Sequence, residues 1–154
     1  IPIISYNYGA QKPDRMKRTM KLGVMVGCSI MVFCLAIMQV FPGQILKIFD
    51  ATDEMLLMGI PAVRIMSTAF IFAGFSVTCS GMFQAVGKGV YSMIVSMARQ
   101  LFVILPVAYF LSKAMNSVNG VWAAFPIAEV FSVIISTIFL LRVYKKIVKP
   151  MESV

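Results

Sequence analysis

Histidine is absent from this chain of 154 residues, and only six residues are acidic. Histidine is the commonest general base at neutral pH and a frequent metal ligand. The three cysteines, Cys28, Cys34 and Cys79, lie inside apolar runs, without metal-ligand spacing and without loop positions suited to a disulfide. The sequence shows no close pair of carboxylates and no nucleophile beside a base. We therefore predict that the chain is not an enzyme and holds neither a metal nor an organic cofactor.

Charge of either sign is scarce. Charged residues make up 13% of the chain and hydrophobic residues 60%, with a mean hydropathy of +0.89. Soluble domains carry about a quarter charged residues, and one of this length could not bury so much apolar surface. The composition predicts an all-α membrane protein.

Long apolar runs predict four complete transmembrane helices. A helix needs about 20 apolar residues to cross a bilayer core. The second run is longer and is expected to be one tilted helix. Short basic segments, 11–21 and 144–154, flank the spans. The four predicted spans are 22–41, 55–84, 90–112 and 121–143.

The basic residues outside the spans are distributed unevenly. If the connections alternate between the two sides of the membrane, ten Lys and Arg residues lie on one side, and only Lys47 and Lys113 on the other. The positive-inside rule then places the ten in the cytoplasm, together with the C-terminus of a multi-pass cell-membrane protein. No basic-aromatic platform for nucleic acid accompanies these charges.

The connection between the second and third spans is predicted to be a tight cytoplasmic hairpin. Gln84 ends the second apolar run. Gly87 can adopt the left-handed conformation that closes a helix. Lys88 can complement the carboxyl end of the preceding helix dipole.

Glu129 is the only carboxylate inside a predicted span, and Arg99 is its expected partner. Arg99 lies about 15 Å from the inner end of its helix, and Glu129 about 20 Å from Arg142, at the helical rise per residue. An intramembrane acid often marks a functional site. Glu129 could therefore be a protonation or cation site coupled to movement. The alternative is a structural ion pair that joins two helices.

Further candidates lie near these two residues. Pro106 and Pro126 interrupt the third and fourth spans and could act as hinges or as static kinks. Ser96 shares a face with Arg99. Ser132 and Ser136 share a face with Glu129, and all three serines are candidates for lining a cavity.

Four segments, spread over nearly the whole chain, carry motifs that are informative in combination. The first is the tail Pro-Ile-Ile-Ser-Tyr-Asn-Tyr-Gly-Ala, and the second is Phe-Gln-Ala-Val-Gly-Lys in the hairpin. The third is Met-Ala-Arg-Gln before Leu-Pro, and the fourth runs from Gly120 to Glu129. They occupy residues 2–10, 83–88, 97–100 and 120–129. In this order and with this spacing, the four segments together resemble the multidrug and toxic compound extrusion (MATE) family.

The resemblance implies a transporter of twelve helices in two lobes. The four spans would be helices nine to twelve, preceded by the end of helix eight, so that the N-terminal lobe of the same chain is missing here. It also implies antiport of drugs or organic cations against protons or sodium ions by alternating access.

The chain departs from one family pattern. Some members carry an acid within helix ten, but here Glu54 lies just before that helix. A carboxylate that couples transport to an ion would then be Glu129 or would belong to the other lobe. This departure from the family pattern favours coupling to protons.

Two other functions remain open. The first is a flippase of the same superfamily for lipid-linked oligosaccharide or polysaccharide. Such an anionic substrate would favour a cavity with several Arg and Lys, whereas these spans offer Arg99 and Arg64. The second is a membrane subunit that does not transport.

Overall fold

A computed structural model describes residues 1–152, and all regular elements in this range are helices. Three helices start with proline as the first residue. The N–H that proline lacks would have no partner within the helix at this position. The three residues are Pro2, Pro13 and Pro42. Thr52 caps another, its side-chain oxygen accepting a hydrogen bond from the Met55 N–H at 3.4 Å. The seven helices of the described range are α1 (Pro2–Gly9), α2 (Pro13–Val40), α3 (Pro42–Ile48), α4 (Asp53–Ser67), α5 (Phe70–Ala85), α6 (Gly89–Met115) and α7 (Asn119–Met151).

Three of these helices, α2, α6 and α7, are long and apolar enough to cross a membrane, and α4 and α5 together can form a fourth span. The predicted class, an all-α protein with membrane-spanning helices, is confirmed. Both α6 and α7 contain a π-helical segment, Ala98–Ile104 and Tyr144–Val148 respectively.

The expectation of one continuous helix over 55–84 is wrong. The chain breaks between α4 and α5, and the two helices are bent by 53°. At the break the Thr68 hydroxyl donates to the Ile65 carbonyl at 2.7 Å, and the Ser67 hydroxyl donates to the Arg64 carbonyl at 3.1 Å. The Thr68 N–H bonds the same Ile65 carbonyl, three residues back. Side-chain hydroxyls that bond nearby carbonyls compete with the α-helical pattern, and the tighter backbone bonds redirect the chain.

The two basic segments, as far as residue 152, are largely helical and extend the neighbouring spans. Helix α2 begins at Pro13 rather than near residue 22, with Asp14 in its first turn. At the other end, α7 continues past Val143 to Met151. Gln11, with φ 51°, lies in the turn between α1 and α2.

The hairpin between α5 and α6 has the predicted left-handed residue, since Gly87 has φ 72°. The Lys88 N–H donates to the Phe83 carbonyl at 2.7 Å, and the Gly87 N–H donates to the Gln84 carbonyl at 3.1 Å. These two bonds form a Schellman-type turn, which satisfies carbonyls at the end of α5. The helix ends at Ala85, one residue after Gln84.

Helices α2 and α5 pack backbone to backbone through small residues. A Cβ added to Gly74 would lie 3.0 Å from the Cys28 Cα, and one added to Gly27 would lie 2.9 Å from the Thr78 Oγ1. Glycine at these positions permits the two helices to approach this closely. This contact positions α5 in the centre of the molecule, where it also packs against α6 and α7.

The basic segments meet at one end of the molecule. Met16 of α2, Met82 of α5 and Val148 of α7 belong to one buried cluster, and Lys17 forms an ion pair with Glu152. Lys88 and Lys146 line the same small pocket. We call this the basic end. The opposite end brings the start of α4 together with the α6–α7 turn, around Trp122.

Candidate functional site

Arg99 on α6 and Glu129 on α7 form an ion pair in the interior of the helix bundle. The Arg99 Nη1 donates to the Glu129 Oε1 at 2.6 Å, as the sequence predicted. Their side chains are 24% and 11% exposed, respectively. A charge-assisted bond of this length is among the stronger contacts in a protein. It joins α6 to α7 at a distance from the ends of both helices.

The second carboxylate oxygen, Glu129 Oε2, is buried and has no hydrogen-bond partner among the described residues. The hydroxyls of Ser132 and Ser136, further along α7, are buried and unpartnered in the same way, as is that of Ser76 on α5. An unsatisfied buried polar group destabilises the fold by about 1–3 kcal/mol. The predicted face of Glu129, Ser132 and Ser136 therefore points inward and keeps unused hydrogen-bonding capacity, but Ser132 and Ser136 do not line the cavity beside Glu129.

The ion pair lines a cavity of about 390 Å³ that lies at the bend between α4 and α5. We call it the apolar cavity. Helices α2, α4, α5, α6 and α7 all contribute to its wall, and Arg99 and Glu129 are the only charged residues of that wall within the described chain. Its other lining residues are Met38, Val63, Met66, Ser67, Ala69, Phe70, Ala73, Gln100, Ile104 and Phe125.

Arg99 also lines a second cavity, of about 310 Å³, between α1, α5 and α6. We call it the hydroxyl-lined cavity. Within it the Gln84 Nε2 donates to the Ser92 Oγ at 3.1 Å, so Gln84 belongs to this cavity as well as to the hairpin. Ser96 lies here beside Arg99, rather than in the apolar cavity. The remaining lining residues are Ile1, Ser76, Val77, Ser80, Gly81 and Val95.

The backbone around Arg99 departs from a regular α-helix. Arg99 and Gln100 lie in the π-helical segment Ala98–Ile104, which ends just before Leu105 and Pro106. Pro106 lacks the N–H that the Phe102 carbonyl would accept from, which favours such an irregularity one turn earlier. Pro126, by contrast, lies inside an α-helical stretch one turn before Glu129. Whether either proline acts as a hinge stays a prediction.

Sequence reasoning missed several residues of the apolar cavity, above all those at the α4–α5 break. Gln39 donates to the Arg64 carbonyl at 2.8 Å and to the Ser67 Oγ at 2.9 Å, which ties α2 to the end of α4. The adjacent hydroxyl residues Ser67 and Thr68 were the available signal, since side-chain hydroxyls weaken a helix from within.

Together, these features define a multi-pass α-helical membrane protein with an internal ion pair between two cavities. A MatE family model matches residues 1–110. The chain belongs to the MatE family, which confirms the resemblance seen in the sequence.

Similar proteins agree with this assignment. Multidrug export protein MepA of Staphylococcus haemolyticus is 26% identical over 123 residues, which cover 80% of this chain and 27% of MepA. The MATE multidrug transporter DinF-BH, solved as a complex, is 32% identical with a TM-score of 0.79, over 90% of this chain and 31% of that one. An inward-facing MATE family transporter of the MOP superfamily has a TM-score of 0.86 at 18% identity, over 99% of this chain and 34% of that one, and shows the fold.

The chain thus spans only 27–34% of the length of these three proteins. All three are named as transporters or export proteins rather than enzymes, which agrees with the prediction of no enzymatic activity.

Proposed function

We propose that this chain is part of a multidrug efflux transporter and forms one wall of its drug pathway. The observation that carries the proposal is the apolar cavity, whose wall contains one ion pair among mostly hydrophobic side chains in a MatE family chain. A cavity of this kind suits substrates that are apolar or cationic, because large adaptable side chains such as Met and Phe accept many shapes.

The whole transporter is proposed to have two lobes, of which this chain supplies helices nine to twelve of the C-terminal lobe and the end of helix eight. The protein lies in the plasma membrane, and its basic end and C-terminus face the cytoplasm. Transport is antiport against protons or sodium ions by alternating access between the lobes. The small-molecule partners are drugs or organic cations.

Glu129 is proposed as a coupling residue, and proton coupling suits its surroundings better than sodium. Arg99 contacts one oxygen of Glu129, and its positive charge opposes binding of a metal cation at the other. Protonation of Glu129 would remove the attraction that holds Arg99 and leave a net positive wall. The charge of the cavity wall would then depend on whether Glu129 carries a proton. Exchange of a cationic substrate for a proton requires such a dependence.

The test is efflux of ethidium, a fluorescent organic cation, from cells that express the full-length chain with Glu129→Gln. The amide oxygen of glutamine still accepts a hydrogen bond from Arg99, so we expect normal amounts of protein in the membrane. Efflux should fall at least about tenfold, because the side chain no longer exchanges a proton.

Glu54→Gln is the matched control, since it removes an acid outside both cavities and should transport normally. Normal ethidium efflux by Glu129→Gln, at normal membrane amounts, would refute the coupling role. If the unaltered full-length protein exports neither ethidium nor other organic cations, the efflux function itself is refuted.

The lining of the cavity supports efflux over transport of an anionic lipid-linked sugar. That substrate requires several cations, and Arg99 is the one cation among the described lining residues, already paired with Glu129.

A further inference from the structure

A small pocket at the basic end collects three cationic side chains from two parts of the chain. Its volume is about 200 Å³, and its wall consists of Lys88, Tyr91, Arg142, Val143, Lys146 and Ile147. None of these lining residues is acidic. It lies apart from the ion pair and from both cavities described above, so it has no role in the proposed drug pathway.

The cations are held by rigid elements. Lys88 follows the Schellman-type turn that ends α5. Arg142 and Lys146 are four residues apart on α7, where Lys146 lies in the π-helical segment, and both line the pocket. The guanidinium carbon of Arg142 lies 5.8 Å from the centre of the Phe139 ring, at a distance typical of cation–π contacts.

An aromatic cluster joins the two elements directly behind the pocket. The rings of Tyr91 and Phe139 are stacked with centroids 4.5 Å apart. Phe83, which is fully buried, meets both rings edge-on, at 6.0 Å and 6.3 Å. This cluster fixes the start of α6 against α7, so the backbone positions that carry the three cations are set before a ligand binds.

The three positive charges are not neutralised within the part of the chain that the structure describes. Its ion pairs involve only Lys17 and Arg99 as cations. Glu152, the acid nearest in sequence to Lys146, pairs with Lys17 instead. Helix α6 also starts at Gly89, next to Lys88, and the free N–H groups at a helix start favour an anion.

We propose that this pocket binds the phosphate headgroup of an anionic phospholipid, in the leaflet that the basic end faces. A lipid fits better than free phosphate, because exposed apolar side chains adjoin the lining residues along the sequence of both helices. Val90 and Met93 on α6 are 60% and 54% exposed, and Leu141 on α7 is 55% exposed. Acyl chains can lie along these residues while the phosphate contacts the three cations. Basic pockets between helices at a membrane surface are suited to such headgroups.

The experiment is native mass spectrometry of the purified full-length protein with phosphatidylglycerol, cardiolipin or phosphatidylcholine added. We expect the anionic lipids to be retained in preference to phosphatidylcholine. The triple variant Lys88→Gln, Arg142→Gln, Lys146→Gln should lower that preference by well over tenfold, since each lysine or arginine near a lipid surface contributes about fivefold.

The matched control removes the same charge elsewhere at the basic end, with Lys12→Gln, Lys145→Gln and Lys149→Gln. None of these three lysines lines the pocket, so the control should keep the preference. Equal losses in the two triple variants would overturn the proposal in favour of diffuse attraction to the membrane. Competition by millimolar inorganic phosphate as effective as that by lipid would show a phosphate site instead.

A single substitution separates loss of lipid binding from a folding defect. Lys146→Gln alone changes one exposed side chain, and it should reduce the lipid preference about fivefold without lowering the melting temperature in phosphatidylcholine. An unchanged preference in this single variant and in the triple variant would overturn the proposal.

Discussion

At the scale of single residues, the Arg99–Glu129 pair is the feature whose two interpretations differ most. A partly buried ion pair is weak evidence for stability, because desolvation of the charges offsets their attraction. Loss of one partner is different, since the remaining charge is buried without compensation. The two roles, structural and coupling, therefore predict different behaviour for single and double variants.

We predict that Glu129→Leu and Arg99→Met each lower stability, toward the lower end of the about 3–5 kcal/mol typical of a broken buried pair. The lower end applies because Arg99 is 24% exposed. The double variant should regain most of the melting temperature in detergent, because no unpaired charge remains. Ethidium efflux should stay low in the double variant if Glu129 couples transport.

Recovery of both the melting temperature and efflux in the double variant would show that the pair is purely structural. Failure of the double variant to regain stability would show that the two side chains do not act as a pair.

At the scale of helices, Gly120 has the tightest surroundings of any glycine in the described chain. An added Cβ would lie 2.5 Å from the carbonyl carbon and oxygen of Leu111 and 2.8 Å from the Ser112 nitrogen. These are backbone atoms, so a side chain at this position can be accommodated only if α6 and α7 separate. The two helices that carry Arg99 and Glu129 are therefore held together at this turn by the absence of a side chain.

We predict that Gly120→Ala destabilises the protein by about 1–3 kcal/mol, the usual range for overpacking. Gly89→Ala is a close control. Gly89 also lies in the first turn of a long helix, but its added Cβ would have nothing within 4 Å. The melting temperature of the Gly89→Ala variant should be unchanged or slightly higher, because alanine has a higher helix propensity than glycine. Equal melting temperatures for the two variants would show that the α6–α7 contact is looser than described.

Local sequence patterns predicted some of these elements better than others. The Gly87 turn was predictable because its conformation depends on one residue type. The pairing of Arg99 with Glu129 followed from their depths along two antiparallel helices. The α4–α5 break was missed because hydropathy measures whether a stretch is apolar, and the Ser67–Thr68 hydroxyls that redirect the backbone change hydropathy very little. The cavities depend on several helices at once, so no local pattern could predict their linings.

At the scale of the whole molecule, the distribution of charge predicts its orientation. The basic segments at both ends of the chain and the α5–α6 hairpin meet at the basic end. Lys113 lies close to the α6–α7 turn at the opposite end. Only one orientation places the basic end in the cytoplasm.

We predict that cysteines at positions 88 and 113 react from opposite sides of the membrane. The experiment uses the full-length chain with Cys28, Cys34 and Cys79 replaced by alanine. A membrane-impermeant maleimide added to intact cells should label Lys113→Cys and spare Lys88→Cys. Permeabilised cells, in which both must react, provide the control for accessibility. Labelling of Lys88→Cys alone in intact cells would reverse the proposed orientation.

The bend between α4 and α5 has a mechanical consequence for the apolar cavity. Val63 and Met66 of α4 form one part of its wall, and Phe70 and Ala73 of α5 form another. Backbone contact at Gly74 fixes α5 to α2, and the Gln39 hydrogen bonds to the Arg64 carbonyl and the Ser67 hydroxyl fix the end of α4 to the same helix. Both parts of the wall are thus held on α2, on either side of a joint of two residues, 68 and 69. The angle of 53° between α4 and α5 therefore sets how far apart these two parts of the wall lie.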